Sequence, residues 1–491
     1  MEERRFVRIA QADNVGVALA PLRAGGRALG VTLCQDVPAG HKFALRAIAQ
    51  GECVVKYGFP IGTATRDIAP GDWVHTHNLG TGLSGTQTYA YRPEPSRPRP
   101  RQRATFQGYA REDGRAGTRN EIWILPTVGC VNGVAQRLAQ AANGSFAGGT
   151  DGVYAFPHPY GCSQLGEDHA NTQRLLAALA RHPNAGGVLV LGLGCENNHI
   201  GAFREALGPV DEQRVRFLSA QDVPDEFEAG LEILRALCGR AGECRRETID
   251  ASKLVVGLKC GGSDGLSGIT ANPLLGRFSD WLVDCGGSAL LTEVPEMFGA
   301  ETILMNRCRD EATFQKTVRL INGFKEYFLR HGQPVYENPS PGNRAGGITT
   351  LEDKSLGCTQ KGGSSQVVDV LDYAQPVREH GLSLVRGPGN DLCAVTALAA
   401  AGAQVVLFTT GRGTPAGSPV PTVKVASNSG LAAQKPGWID FDAGAIARGT
   451  PVEEVARAFR EAVLAVASGT RTHSERMGYR DIAIFKDGVT L

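Results

Sequence analysis

The chain has 491 residues, 42% hydrophobic and 21% charged, with a formal net charge of +1. These are the proportions of a globular protein of about three domains. The dispersed basic residues exclude a nucleic-acid footprint, and the absence of any run of about 18 apolar residues excludes a transmembrane helix. The start, Met1-Glu2-Glu3-Arg4-Arg5, has no apolar signal core, so the expected compartment is the cytoplasm. There the twelve cysteines stay reduced, and burial, metal binding or catalysis must account for them.

Residues 1–92 hold short β-like runs at 15–20, 31–33, 53–57 and 72–75. Turn signals such as Pro38-Ala39-Gly40 and Pro70-Gly71-Asp72 separate them, which predicts a small β-rich domain. Pro93-Glu94-Pro95-Ser96-Arg97-Pro98-Arg99-Pro100 favours an extended spacer, so 93–105 reads as a Pro/Arg-rich linker with solvated arginines. Beyond it, strand-length apolar runs (122–128, 187–193, 253–258, 288–293, 403–409) alternate with helical stretches such as 131–142 and 171–180. This predicts an α/β main body with mainly parallel sheets, divided into domains at 106–250 and 251–491. A Gly/Pro-rich break at 338–347 offers a second position for the last boundary.

Four of the apolar runs end in polar, glycine-bearing turns: Gly129-Cys130-Val131-Asn132, Gly194-Cys195-Glu196-Asn197, Lys259-Cys260-Gly261-Gly262-Ser263-Asp264 and Gly411-Arg412-Gly413. Open α/β sheets bind ligands outside the carboxyl ends of their strands, so these turns are expected to share a site. Cys130, Cys162, Cys195, Cys260 and Cys358 all sit in glycine-bearing turns, where soft thiolates suit iron or zinc; none has a CxxC partner, which excludes a zinc ribbon. His75 and His77, two apart at a strand end, could face one metal, or be two surface histidines at a turn. Glu293 and Glu296 follow another strand and suit a general base or a hard metal ligand; solvated loop acids are the plain alternative. The stretch from Phe156 to His169 concentrates two histidines, a tyrosine, a thiol and two acids; for Asp168, capping a helix start weighs as much as catalysis. Lys354, Lys361 and Arg344, in and after the 338–347 loop, are candidates to bind a carboxylate. No phosphate loop is present, and Asn197 stands where the third glycine of a dinucleotide fingerprint should be, so neither ATP nor NAD is expected.

Over essentially its whole length the chain resembles the altronate/galactarate dehydratase family. The N-terminal unit is similar through Gly40-His41-Lys42, Lys56-Tyr57-Gly58 and Val74-His75-Thr76-His77-Asn78. The remainder is similar through Gly114-Arg115-Ala116-Gly117-Thr118-Arg119-Asn120, Tyr160-Gly161-Cys162-Ser163-Gln164, Cys260-Gly261-Gly262-Ser263-Asp264, Glu293-Val294-Pro295-Glu296 and Asn338-Pro339-Ser340-Pro341-Gly342-Asn343. The resemblance implies an SAF-like N-terminal domain and a hydro-lyase that converts D-altronate to 2-dehydro-3-deoxy-D-gluconate in hexuronate breakdown, with galactarate as the alternative substrate. A sugar-acid sensor is the contrasting class, and no basic recognition helix supports it. The resemblance also implies iron(II), with Mn(II) or another divalent metal as alternatives and an iron–sulfur cluster on three cysteines as a variant. The expected partners are a small sugar acid and identical subunits, without nucleic acid or membrane. Removing the proton beside a carboxylate needs a base and stabilisation of the aci-carboxylate. The expected assignment is His75, His77, Glu293 and Glu296 as catalytic groups; His75, His77, Cys130, Cys162 and Cys195 as metal ligands; and Arg119, Asn132, Lys354 and Arg412 as substrate binders.

Overall fold

The computed structural model describes residues 5–94 and 99–490. The N-terminal unit is β-rich: a four-stranded antiparallel sheet (Phe6–Val7, Val15–Ala18, Lys42–Ala44, Trp73–Val74) sits with a three-stranded one (Cys53–Lys56, Phe59–Ala64, Leu79–Gly80). Lys42–Ala44 and Phe59–Ala64 escape the sequence reading because Lys42 lies buried mid-sheet, and Pro60 and Gly62 interrupt the alternation. The unit ends at about Gly80. The next residues strap onto the C-terminal unit, where the Tyr89 hydroxyl donates to Glu301 (2.6 Å) and that of Tyr91 to the Cys308 carbonyl (2.6 Å). Of the expected linker, residues 95–98 lie outside the described residues. Arg99 is not solvated: it pairs with Asp280 (2.9 Å) and Asp284 (2.8 Å), which corrects that part of the linker reading.

The middle unit is closed at its base by Thr105–Ala110 pairing antiparallel with Glu247–Asp250. Between them lies a parallel sheet in the order Val153–Ala155, Glu121–Pro126, Ala185–Gly192, Val215–Ser219. Ala185–Gly192 is buried along its whole length, as a strand covered by helices on both faces must be. Asn132–Ser145 and Glu226–Glu243 cover one face. Gly166–Ala180 covers the other and packs on Asp391–Ala400 of the last unit, so the two α/β units share one apolar core.

The C-terminal unit is a seven-stranded, all-parallel sheet in the order Val367–Leu371, Gly381–Val385, Ser288–Leu291, Val255–Cys260, Val405–Thr410, Thr422–Ala426, Phe441–Asp442. Strands from both sides of the 338–347 break share this sheet, so the break is a loop within one unit. From Val255–Cys260 the chain passes to Ser288–Leu291, then to the edge at Val367–Leu371 and back to Gly381–Val385, and crosses to the other side at Val405–Thr410. That reversal is the topological switch point, and it places the crevice at the ends of these two strands.

Candidate active site

A cleft of about 660 Å³ opens at that switch point. Its walls are the turn at 260–262, Glu296, the 337–344 loop, Lys354 and the start of helix Asp391–Ala400. Glu293 ends the neighbouring strand in a left-handed conformation (φ 68°, ψ 56°), a strain of about 1–3 kcal/mol for a non-glycine residue. Three partners hold it there. The Cys260 amide donates to it at 2.9 Å, Lys361 at 3.1 Å, and Lys259 makes a shorter ion pair. The 3-10 turn that follows, opened by Val294-Pro295, carries Glu296 back to the cleft wall.

Glu296 is buried, and both its oxygens are engaged. Oε1 accepts from Lys354 (2.8 Å) and Asn338 (3.3 Å), and Oε2 faces the thiols of Cys260 (3.3 Å) and Cys358 (3.1 Å), which lie 3.3 Å apart. Burial alone would raise the Glu296 carboxyl, but Lys354, Lys259 and Lys361 outweigh it and hold the group well below the usual carboxylate range. Lys354 also donates to Asn338 and Asn343, both at 3.1 Å. Despite burial, it stays protonated above its ordinary value through Glu296 and the nearby thiols. The contact with Cys260, followed by burial, pushes the Cys358 thiol up. Three ammonium groups (Lys259, Lys354, Lys361) thus face three carboxylates (Glu293, Glu296, Asp391).

Among the described residues, Cys260, Glu296 and Cys358 form the one set of three donors whose ligand atoms lie within 4.8 Å of one another. A dication fits them poorly. The lysines already balance the carboxylates, and Glu296 Oε1 is taken by Lys354 and Asn338.

The expected residues divide into those the structure gathers and those it does not. Glu296 and Lys354 meet in the cleft, Glu293 lies directly behind, and exposed Arg344 lines the entrance. Exposed Arg412 stands beside the 340–342 segment. His75 and His77 lie beyond the end of the strand, which stops at Val74, and Asn78 closes a turn there by bonding the His75 amide and carbonyl. Both imidazoles lean on Trp73, and His75 Nδ1 meets Thr349 at the domain junction (3.1 Å). Arg119 is no substrate binder; its guanidinium is sealed by Glu475 (2.7 and 3.0 Å) and three carbonyls. Asn132 spends its side chain on the backbone of His158. Asp168 makes no cap bond to its helix; it receives the amides of Asp487 and Gly488 in the C-terminal tail. Cys130, Cys162 and Cys195 lie in the middle unit, exposed, on adjacent loops. Lys259 and Asp391 were missed, although a lysine inside the apolar strand Val255–Cys260 is a legible anomaly.

Helix Leu351–Cys358 organises the whole site. It is buried on every side, and each of its three charged residues has a fixed partner. Glu352 holds Thr81 and Gly82, and Asp353 binds Lys42 (2.8 Å) and Lys56 (3.0 Å) of the N-terminal unit. Lys354 and Cys358 face Glu296.

Three family profiles match, in chain order. They are Altronate/galactarate dehydratase SAF domain (4–82), D-galactarate dehydratase/Altronate hydrolase, second domain (108–242), and D-galactarate/Altronate dehydratase, C-terminal (251–490). The chain is 55% identical to an altronate dehydratase of Escherichia coli (strain K12), over 99% of this chain and 100% of the relative. It is likewise 55% identical to one of Bacillus subtilis (strain 168), with the same coverage. A galactarate dehydratase (L-threo-forming) of Escherichia coli (strain K12) is 34% identical over 98% of this chain and 96% of that one.

Proposed function

We infer the reaction from one premise: this chain belongs to the altronate/galactarate dehydratase family. It is a hydro-lyase that removes water from D-altronate to give 2-dehydro-3-deoxy-D-gluconate. Full-length identity of 55% to altronate dehydratases, against 34% to a galactarate dehydratase, carries the choice of substrate.

In the cleft, the exposed guanidinium of Arg344, with Arg412 behind the same loop, receives the substrate carboxylate; an arginine fork suits its two oxygens. Glu296 is the group placed to take the C2 proton, because it lines the cleft whereas Glu293 lies behind it. Lys354, bonded to Glu296, supplies positive charge as the aci-carboxylate develops. Loss of hydroxide from C3 then gives the enol, which becomes the 2-keto acid. Glu293 is a positioning residue that fixes Lys259, Lys361 and the Cys260 turn. Iron(II) or another divalent ion would supply Lewis acidity toward the departing hydroxyl, but the Cys260–Glu296–Cys358 set does not fit it. We keep a cytoplasmic homo-oligomer as part of this reading, to be checked by fractionation and sedimentation. Among the described residues no helix is long and apolar enough to cross a membrane.

The test is turnover of D-altronate and galactarate by anaerobically purified protein, wild type and Glu296→Gln. A 2-keto-3-deoxy acid formed from altronate, and slowed roughly 10²–10⁴-fold by the substitution, supports the reading. Preferential turnover of galactarate moves the substrate. Undiminished turnover by Glu296→Gln removes that residue from the chemistry.

A further inference from the structure

We propose that Asp391 is the residue that turns sugar diacids away, by holding a carboxylate on the side of the cleft opposite the arginines. The assignment rests on the dehydratase reading, with the reacting carboxylate at Arg344, and deepens it with a physical reason for preferring altronate. Apart from stereochemistry, altronate and galactarate differ at one end of the carbon chain. Altronate ends there in a hydroxymethyl group, galactarate in a second carboxylate.

The charges are sorted along the turn at 260–262. Asp391 stands at Gly261: a Cβ added to that glycine would lie 2.6 and 2.9 Å from its two carboxylate oxygens. Arg412 stands at Gly262, where an added Cβ would lie 3.6 Å from its own Cβ. Its side chain then runs to the 340–342 segment, with Cδ and Nε each 3.7 Å from an added Cβ on Gly342, two residues before Arg344. The basic groups thus gather on one side of the turn and Asp391 faces the other. Asp391 is also rigidly presented. Asn390 caps the helix that begins with it by accepting from the Cys393 amide (3.1 Å), and the helix is buried from Ala394 onward.

Asp391 has capacity to spare. Its Oδ1 lies 3.0 Å from Lys259, but that ammonium already has Glu293. Among the described residues no hydrogen bond reaches Oδ2. Lys259 and Glu293 are at most 1% exposed, whereas the Asp391 side chain is 38% exposed and lines the cleft. Of the other charged groups lining it, Lys354 is taken by Glu296. What remains is Arg344 against Asp391 and Glu337; Glu337 is exposed and has no ion-pair partner among the described residues. One guanidinium fork receives one carboxylate. A second carboxylate would meet like charge in a concavity, and like-charge contact is an effective way to reject a competitor. A hydroxyl at the same place instead donates to the open Asp391 oxygen.

The experiment measures kcat/KM for altronate and for galactarate, and inhibition of altronate turnover by galactarate, in wild type, Asp391→Asn, Asp391→Glu and Glu337→Gln. Asp391→Asn is expected to raise the galactarate-to-altronate ratio of kcat/KM about tenfold or more, and to tighten galactarate inhibition in step. Asp391→Glu keeps the charge and should keep the ratio near wild type. Glu337→Gln should move the ratio the same way by less. Both substrates meet the same folded enzyme, so a purely structural role for the Lys259 contact would lower both rates and leave the ratio where it was. A ratio and an inhibition constant unmoved by Asp391→Asn, with wild type active on altronate, overturn the proposal and leave the dehydratase reading standing. A larger shift in Glu337→Gln than in Asp391→Asn overturns the assignment to Asp391. Wild type inert toward both acids overturns the dehydratase reading itself, and the proposal with it.

Discussion

Asp353→Asn is the substitution from which most can be worked out. Asp353 is the only acidic partner of Lys42 and Lys56 among the described residues, and all three side chains are at most 1% exposed. Solvent screening therefore gives no discount. Breaking a buried pair by removing one partner costs about 3–5 kcal/mol, because the remaining charges are left without compensation. At about 1.4 kcal/mol per decade, the open form of the N-terminal junction should rise by roughly two to three and a half orders of magnitude. The cost should depend on pH. Burial, against the pull of Asp353, lowers Lys42 to about 8 from its ordinary 10.5, so it can shed its proton more readily than an ordinary lysine. The deficit should be largest near pH 6 and shrink in part as pH rises, because Lys42 sheds its proton while Lys56, held above its ordinary value by Asp353 against burial, keeps its own. At the acid end, burial raises Asp353 but Lys42 and Lys56 outweigh it and hold the carboxyl below its ordinary 3.8. Its stabilisation is complete above that value and fades only as pH falls through the lower folded one. The assays are urea unfolding followed by emission of Trp73, which sits at the junction against His41 and His75, and proteolysis between residues 83 and 94. A loss under 1 kcal/mol, or one independent of pH, would refute the reasoning. Replacing Lys42, Lys56 and Asp353 together by Met, Met and Leu should recover most of the loss.

Three further outcomes follow from other contacts. Arg344→Gln combined with Arg412→Gln should raise KM for altronate about tenfold or more with a smaller change in kcat; an unchanged KM would remove both from carboxylate binding. Gly161→Ala should drive a Cβ into the Thr127 carbonyl at a positive-φ position, so stability in denaturant unfolding should fall by about 1–3 kcal/mol; an unchanged midpoint would refute the close approach. Glu475→Ala should leave buried Arg119 unpaired and cost about 3–5 kcal/mol in denaturant unfolding, while the turnover of the remaining folded protein stays near wild type.

The architecture was legible because parallel strands covered on both faces must be largely apolar, and 255–258, 289–291 and 405–408 are. The gathering of Glu293, Glu296 and Lys354 was legible in outline, since strand ends in such sheets converge. The placement of the histidine pair was not legible, because residues beyond the end of a strand no longer obey its alternation. Arg119 misled because a motif arginine reads alike whether it binds a ligand or, as here, a buried glutamate. Helix Leu351–Cys358 was the least legible in its role. Its one-sided reading of polar residues near a helix start hides that every face is covered, and its partners Lys42 and Lys56 lie about 300 residues earlier in the chain.

That distance bears on how the protein is made. The β-rich unit leaves the ribosome first, yet its apolar cluster around Val54, Ile61 and Leu79 is completed by Ala300 and Leu356, and its two inward lysines find their carboxylate only at residue 353. Domains emerging from the ribosome commonly fold in turn from the N-terminus. Here the first unit to emerge must wait, with an unfinished core, until more than two-thirds of the chain has been synthesised, so its final consolidation belongs to the last stage of folding rather than the first.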